Sequence, residues 1–148
     1  MATFTSTVTE NVTINGVDQG GSTTRTVTGI NNVFKRQVTC TASQTTTILT
    51  FAASVHTSVQ ALDVDDVKYI RVTNKDSTNA IELAVVGAAT LYQVTVGAGE
   101  SHILGAPDDL MLAEADTSPS FGTMADIASI QVNPGGNAVS VELFVASV

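Results

Sequence analysis

Valine and threonine, spread along the whole chain, most constrain what it can become. Both are β-branched, lose rotamer freedom in a helix and pack well on a pleated surface. Here they recur in short runs broken by Gly, Pro, Asn and Asp. No twelve-residue window carries an i, i+3, i+4, i+7 apolar stripe with caps, so helices are not expected. The strands predicted are "VFKRQVTCT" (33–41), "TTTILTFAA" (45–53), a short strand and acidic turn in "HTSVQALDVDD" (56–66), "VKYIRVTN" (67–74) and "AIELAVV" (80–86). They continue with "LYQVTV" (91–96), "SHIL" (101–104), "LMLAEA" (110–115), "IASIQV" (127–132) and "VSVELFVAS" (139–147).

Alternation assigns their faces. Ile70 and Val72 oppose Tyr69 and Arg71; Ile81, Leu83 and Val85 point together, as do Tyr92, Val94 and Val96. About ten short strands at near-regular spacing predict an all-β, antiparallel sandwich of jelly-roll type. An immunoglobulin-like sandwich is the second choice, and the missing Trp and missing Cys pair weigh against it. In "VKYIRVTNKDSTNAIELAVV" (67–86) two apolar runs flank a polar break, which reads as a β-hairpin or as a corner of a two-sheet core. "GAGE" (97–100) reads as a hairpin turn and "NPGGNA" (133–138) as a strong turn signal.

The first thirty residues differ from the rest. They are rich in Thr and poor in large apolar groups, with Phe4, Ser6 and Val8 on one face and Thr3, Thr5, Thr7 and Thr9 on the other. Asn15-Gly16 and Gly20-Gly21 are turn signals. The expected organisation is an extended N-terminal arm over residues 1–30 and a β-sandwich domain over 31–148. Such an arm buries little by itself, so it is either mobile or paired with an edge of the main sheet or of a neighbouring chain.

Charge narrows the partners. Six basic residues stand against fourteen acidic ones, a net charge of −8. That opposes a phosphate-neutralising nucleic-acid surface and docking on an anionic membrane. Charged residues make up only 14% of the chain, against about 25% in an average soluble protein. Much of the surface must then be neutral Thr, Ser, Asn, Gln, Gly and Ala, which suits burial against neighbouring subunits. The single cysteine, Cys40, allows no intrachain disulfide and favours a reducing place of synthesis. "MATFTSTVTENV" has neither a basic n-region nor an apolar h-region, and no apolar run reaches the ~18–20 residues of a span. The expectation is a cytoplasmic product not exported by the usual route, for which the Asn11-Val12-Thr13 sequon has no meaning.

Reactive chemistry is sparse. His56, His102 and Cys40 lie in no HExxH or CxxC spacing, and a Cys-His pair would need an orienting partner. Asp63, Asp65 and Asp66, with Asp108 and Asp109, are hard-oxygen ligands in loops, but the EF-hand spacing is absent. An acidic turn that stays wet is the favoured reading, and a calcium site shared between loops or subunits is its rival. Glu82, Glu100, Glu114 and Glu142 lie within or beside strands, with no motif that singles out the facing pair a glycosidase needs. Tyr69, Tyr92, Phe121 and the other Phe residues are few enough to be consumed by the core rather than offered to a sugar. Lys35, Arg36, Lys68, Arg71 and Lys75, with Arg25, are expected to be scattered surface charge, or else one patch for an acidic partner. No catalytic, cofactor-binding or metal-binding residue is assigned, and no enzyme activity or cofactor is expected.

"VKYIRVTNKDSTNAIELAV", then "VGAGESHIL", then "ASIQV" and "NAVSVELFVAS" resemble small virion structural proteins of tailed bacteriophages. In that family a strand ending in an Ile-x-Val-Thr-Asn-like phrase precedes a short polar loop, a Gly-x-Ser-like turn follows, and the chain closes on a Val-Glu-Leu-like strand. The resemblance covers about residues 67–147 and carries over no functional residues. It implies a non-enzymatic particle component, assembled in the host cytoplasm and resident in the virion. A capsid decoration (cement) protein comes first, with a head–tail or tail component beside it. Its partners would be the major capsid protein or other virion subunits and copies of itself, a trimer favoured. The rival expectation is a carbohydrate- or receptor-binding module of a tail or fibre.

Overall fold

The computed structural model describes residues 2–52, 61–87, 91–105 and 126–148, and every regular element among them is a strand. The chain opens with β1 (Ala2–Glu10), the short β2 (Thr13–Ile14) and β3 (Val17–Asp18), and β4 (Gly21–Ile30). The body follows as β5 (Asn32–Cys40), β6 (Thr46–Phe51), the two-residue β7 (Ala61–Leu62), β8 (Val67–Asn74) and β9 (Ile81–Gly87). It closes with β10 (Leu91–Val96), β11 (Ser101–Leu104), β12 (Ile127–Asn133) and β13 (Val139–Ser147). The predicted strand at 110–115 lies outside the described residues.

Two antiparallel sheets form the body. One runs β11-β8-β13-β5 and the other β10-β9-β12-β6, with β7 added in parallel beside β6. Leaving β7 aside, the first sheet takes the sixth, third, eighth and first of the body strands, and the second takes the fifth, fourth, seventh and second. That order is a jelly roll, a sandwich wound from two Greek keys. Alternation accounts for the packing. Ile70, Val72, Ile81, Leu83, Val85 and Leu143 are essentially inaccessible to water and meet between the sheets. Each such side chain contributes roughly 2 kcal/mol of burial. β6 breaks the alternation, because Ile48 and Leu49 are consecutive and both buried. A register shift explains it. Leu49 faces Ile130 and Thr47 faces Gln131, leaving Ile48 as the extra residue of a bulge.

Of the two readings of 67–86 the corner holds, and the hairpin reading of "GAGE" needs correction. β8 and β9 lie in different sheets, and so do β10 and β11, so both segments are corners where the chain crosses the core. Among consecutive body strands it is β9 and β10 that pair antiparallel with each other. An apolar run, a polar break and a second apolar run look alike for a hairpin and a corner. Side-chain hydrogen bonds decide here. Asn74, fully buried at the end of β8, accepts from the Asp76 amide at 3.0 Å. Its Nδ2 donates to the Asn79 carbonyl at 2.8 Å and to the Val96 carbonyl on β10 at 3.2 Å. Asp76 Oδ1 accepts from the amides of Thr78 at 2.8 Å and Asn79 at 2.7 Å. The loop is thereby held wide enough to span the ~10 Å between sheets rather than the ~4.8 Å between paired strands.

The arm, too, differs from expectation. It pairs with itself, β1 against β4 from Ala2↔Ile30 to Glu10↔Gly21, as a separate two-stranded ribbon. The reversal at Asn15-Gly16 has positive φ at both residues (53° and 81°), the conformation of a type I′ hairpin turn.

Candidate functional site: the projecting hairpin and its groove

The ribbon is anchored at one end only. Gly29, at φ 83°, is the extra residue of a bulge opposite Ala2 and Thr3, a conformation that a side chain resists. Ile30 beyond it is buried with Tyr69 and Ala146, and Phe4, Val27, Phe144 and Val148 pack around them. This second apolar cluster lies on the outer face of the β11-β8-β13-β5 sheet. Phe4 sits 4.6 Å from the Tyr69 ring and 5.9 Å from the Phe144 ring, centroid to centroid, and Tyr69 meets Phe144 edge-on at 6.1 Å. Aromatic contacts at these distances add about 1 kcal/mol each beyond area burial. Farther along, Arg25 Nη1 donates to the Lys68 carbonyl at 3.0 Å and lies beside Gly105, just past β11.

Beyond Arg25 the ribbon stands clear. Residues 7–15 and 21–26 are exposed throughout, and cross-strand hydroxyl pairs hold the two strands together, Thr7 with Thr24 at 3.1 Å and Thr9 with Ser22 at 3.2 Å. Val8, Val12, Ile14 and Val17 are 45–56% exposed. A two-stranded ribbon is marginal in water by itself. Beneath it, a groove of about 410 Å³ is lined by Phe4 to Val8 of β1, by Tyr69 and Arg71 of β8, by Ser101 and Ile103 of β11, and by Phe144.

Arg71 links the groove to the charged row beside it. Its Nη2 meets Glu142 Oε1 at 2.7 Å, and Lys35 Nζ approaches Glu142 Oε2 at 3.5 Å from the other side. The Arg71 guanidinium also lies 5.8 Å from the Phe144 ring centroid, and its Nε is buried without a partner. Lys35 and Arg71 therefore share one carboxylate. Arg25 and Lys68 meet elsewhere, Arg36 stacks 6.0 Å over Phe34, and Lys75 sits at the β8–β9 corner with its amide on the Ser140 carbonyl. The six basic residues do not form one patch.

The candidates for reactive chemistry are separated or occupied. Cys40 on β5 and His102 on β11 lie on opposite edge strands of one sheet. Burial pushes the Cys40 thiol up, with a smaller opposing effect from the Thr46 hydroxyl. His102 Nε2 pairs with the Tyr92 hydroxyl at 3.1 Å; burial lowers the imidazole and raises the phenol. Asp63 Oδ1 accepts from the Asp65 amide at 3.1 Å, and the Asp66 carbonyl takes the Val148 amide at 2.9 Å, so the acidic turn is a joint of the fold. Glu82 accepts from Asn133 at 3.1 Å, and Glu100 accepts from the Gly97 amide at 2.9 Å and closes its turn. No group of three metal-ligating side chains gathers among the described residues. His56, Asp108, Asp109, Glu114 and Phe121 lie outside those residues.

The groove and the self-paired ribbon were not read from the sequence. One local signal was available: Asn-Gly centred between two Thr-rich runs is a strong short-range hairpin pattern.

No protein-family model and no curated protein matches the chain. Among solved structures it is similar to a chain from work described as "Bacillus endospore appendages form a novel family of disulfide-linked pili", with a TM-score of 0.40 and 11% identity over 82% of this chain and 93% of that one. A likeness of that degree assigns neither family nor function.

Proposed function

We propose that this chain is a non-enzymatic structural subunit of a tailed-phage virion, a capsid decoration protein that stabilises the head through contacts with the major capsid protein and with its own copies. The observation that carries the structural part of this reading is the hairpin. It is anchored at its base by Phe4, Ile30 and Tyr69 and projects an exposed, apolar-tipped ribbon that no part of the described chain covers. Unpaired strand edges and exposed apolar tips are templates on which a neighbour can add a strand or a surface. The polar side chains support the same reading: Asn74, Asp76, Glu100 and Glu142 are committed to corners and cross-strand pairs. The virion assignment is supported by the resemblance of residues 67–147. Many weak contacts of this kind add up through multivalency on a repeating shell.

A second reading, a carbohydrate- or receptor-binding module of a tail or fibre, is favoured by the groove. There Phe4, Tyr69 and Phe144 supply an aromatic wall and Arg71 and Ser101 polar groups. Antibody raised against the folded chain separates the two on intact particles. Gold label spread over the head surface is expected. Label confined to tail tips would favour the ligand-binding reading, and no label on particles would overturn both virion assignments.

A further inference from the structure

We propose that the tip of the N-terminal hairpin docks on the β5 edge of a second copy of this chain, so that copies join head to tail. This deepens the structural-subunit reading above and rests on it. The ribbon's contacts march across the outer face of its own sheet, from Phe144 on β13 to Tyr69 and Lys68 on β8 and then to Gly105 past β11. The tip is therefore carried over the β11 edge. At ~3.3 Å per residue, the stretch from Ser6 to Asn15 extends about 30 Å. β5 is the opposite edge of the same sheet, with one side unpaired among the described residues. Connector and receiving edge thus lie at opposite ends of one sheet, the arrangement that makes a heterologous contact repeat into a ring or a filament.

Residues 7–24, the whole free end of the ribbon, carry Glu10 and Asp18 and no basic residue. β5 carries Lys35 and Arg36 and no acidic residue. In a chain of net charge −8, copies repel one another over most of their surface, and an edge strand with one cation on each face, Lys35 beside Glu142 and Arg36 over Phe34, is where an acidic tip can approach. Lys35 keeps 59% of its side chain exposed despite its contact with Glu142. Cations on an edge strand also deter pairing between two β5 edges, so the edge selects an acidic strand over a copy of itself.

Val33, at the start of β5, is 51% exposed, and the tip offers Val12, Ile14 and Val17 in a similar state.

Sedimentation velocity of the full-length chain over a wide concentration range tests this. The unaltered chain is expected to associate with rising concentration. Glu10→Lys with Asp18→Lys at the tip, or Lys35→Glu with Arg36→Glu at the edge, should each weaken association about tenfold or more. An equimolar mixture of the two charge-reversed chains should associate again, since each tip then meets an edge of opposite sign. Ile14→Thr with Val17→Thr, at side chains more than half exposed in the free chain, should weaken association with no loss of fold by circular dichroism. A monomer at every concentration, or association that survives the tip or the edge reversal, overturns the inference. Particle labelling is read separately, so the virion assignment stands or falls apart from it.

Discussion

Replacing Asn74 with alanine should be among the most damaging single changes in the body. The side chain is fully buried where β8 leaves its sheet, and it makes three hydrogen bonds: from the Asp76 amide, to the Asn79 carbonyl and to the Val96 carbonyl. At about 1 kcal/mol net for each, their loss comes to about 3 kcal/mol, with the unpaired Val96 carbonyl pushing the figure upward. Urea denaturation should show a lower midpoint with an unchanged slope, because the surface exposed on unfolding is the same. Asn74→Asp sharpens the test. One oxygen can still accept from the Asp76 amide, but the other would face two carbonyls in a dry site. Burial there raises the folded carboxyl above its unfolded value near ~3.9, so the folded state binds the extra proton. The variant should therefore be least stable at neutral pH, worse than Asn74→Ala, and should regain stability as pH falls through the raised folded value. A loss under about 1 kcal/mol for Asn74→Ala, or an aspartate variant as stable as the alanine one at neutral pH, would contradict this role for Asn74.

Phe4→Ala should release the hairpin while leaving the sandwich intact, since its ring packs on Tyr69 and Phe144 outside the main core. Hydrogen exchange should quicken in β1 and β4 alone, and the local loss should be about 2 kcal/mol, below that of a fully buried ring. The amides of Asn79 and then Thr78 hold the Asp76 carboxyl below the usual carboxylate range. Its contribution is present above the unfolded value near ~4 and is lost as pH falls through the lower folded one. Asp76→Asn should erase that stretch of the stability profile, and a carboxyl that titrates at or above the ordinary value by NMR would contradict the assignment. Cys40, buried with its thiol pushed up, should be inert to thiol reagents in the folded chain and react fully in urea.

Alternation made much of this fold legible. The bounds of β8, β10, β11 and β13 fall where the period-two pattern places them, and Ile70, Val72, Ile81, Leu83 and Val85 are core as their spacing requires. Strand partners were harder to see. Nothing in "TNKDSTNA" distinguishes a hairpin from a corner until Asn74 is seen reaching Val96, a residue on the far sheet. The bulge at Ile48 is set by its neighbour β12, not by β6 alone. For the arm, the Thr-rich faces of β1 were legible, but its partner β4 belongs to the same thirty residues and reads equally well as an extended continuation. The groove depends on where the ribbon crosses β8 and β11, a tertiary fact with no local trace.

The proposed role, a particle subunit that uses its projecting hairpin as a connector, can be seen by electron cryomicroscopy of the intact particle. Jelly-roll density repeated over the head is expected, with each hairpin running from its anchor at Phe4 and Tyr69 into the density of a neighbouring subunit. Hairpins that end in solvent, or a head surface without this density, would contradict it.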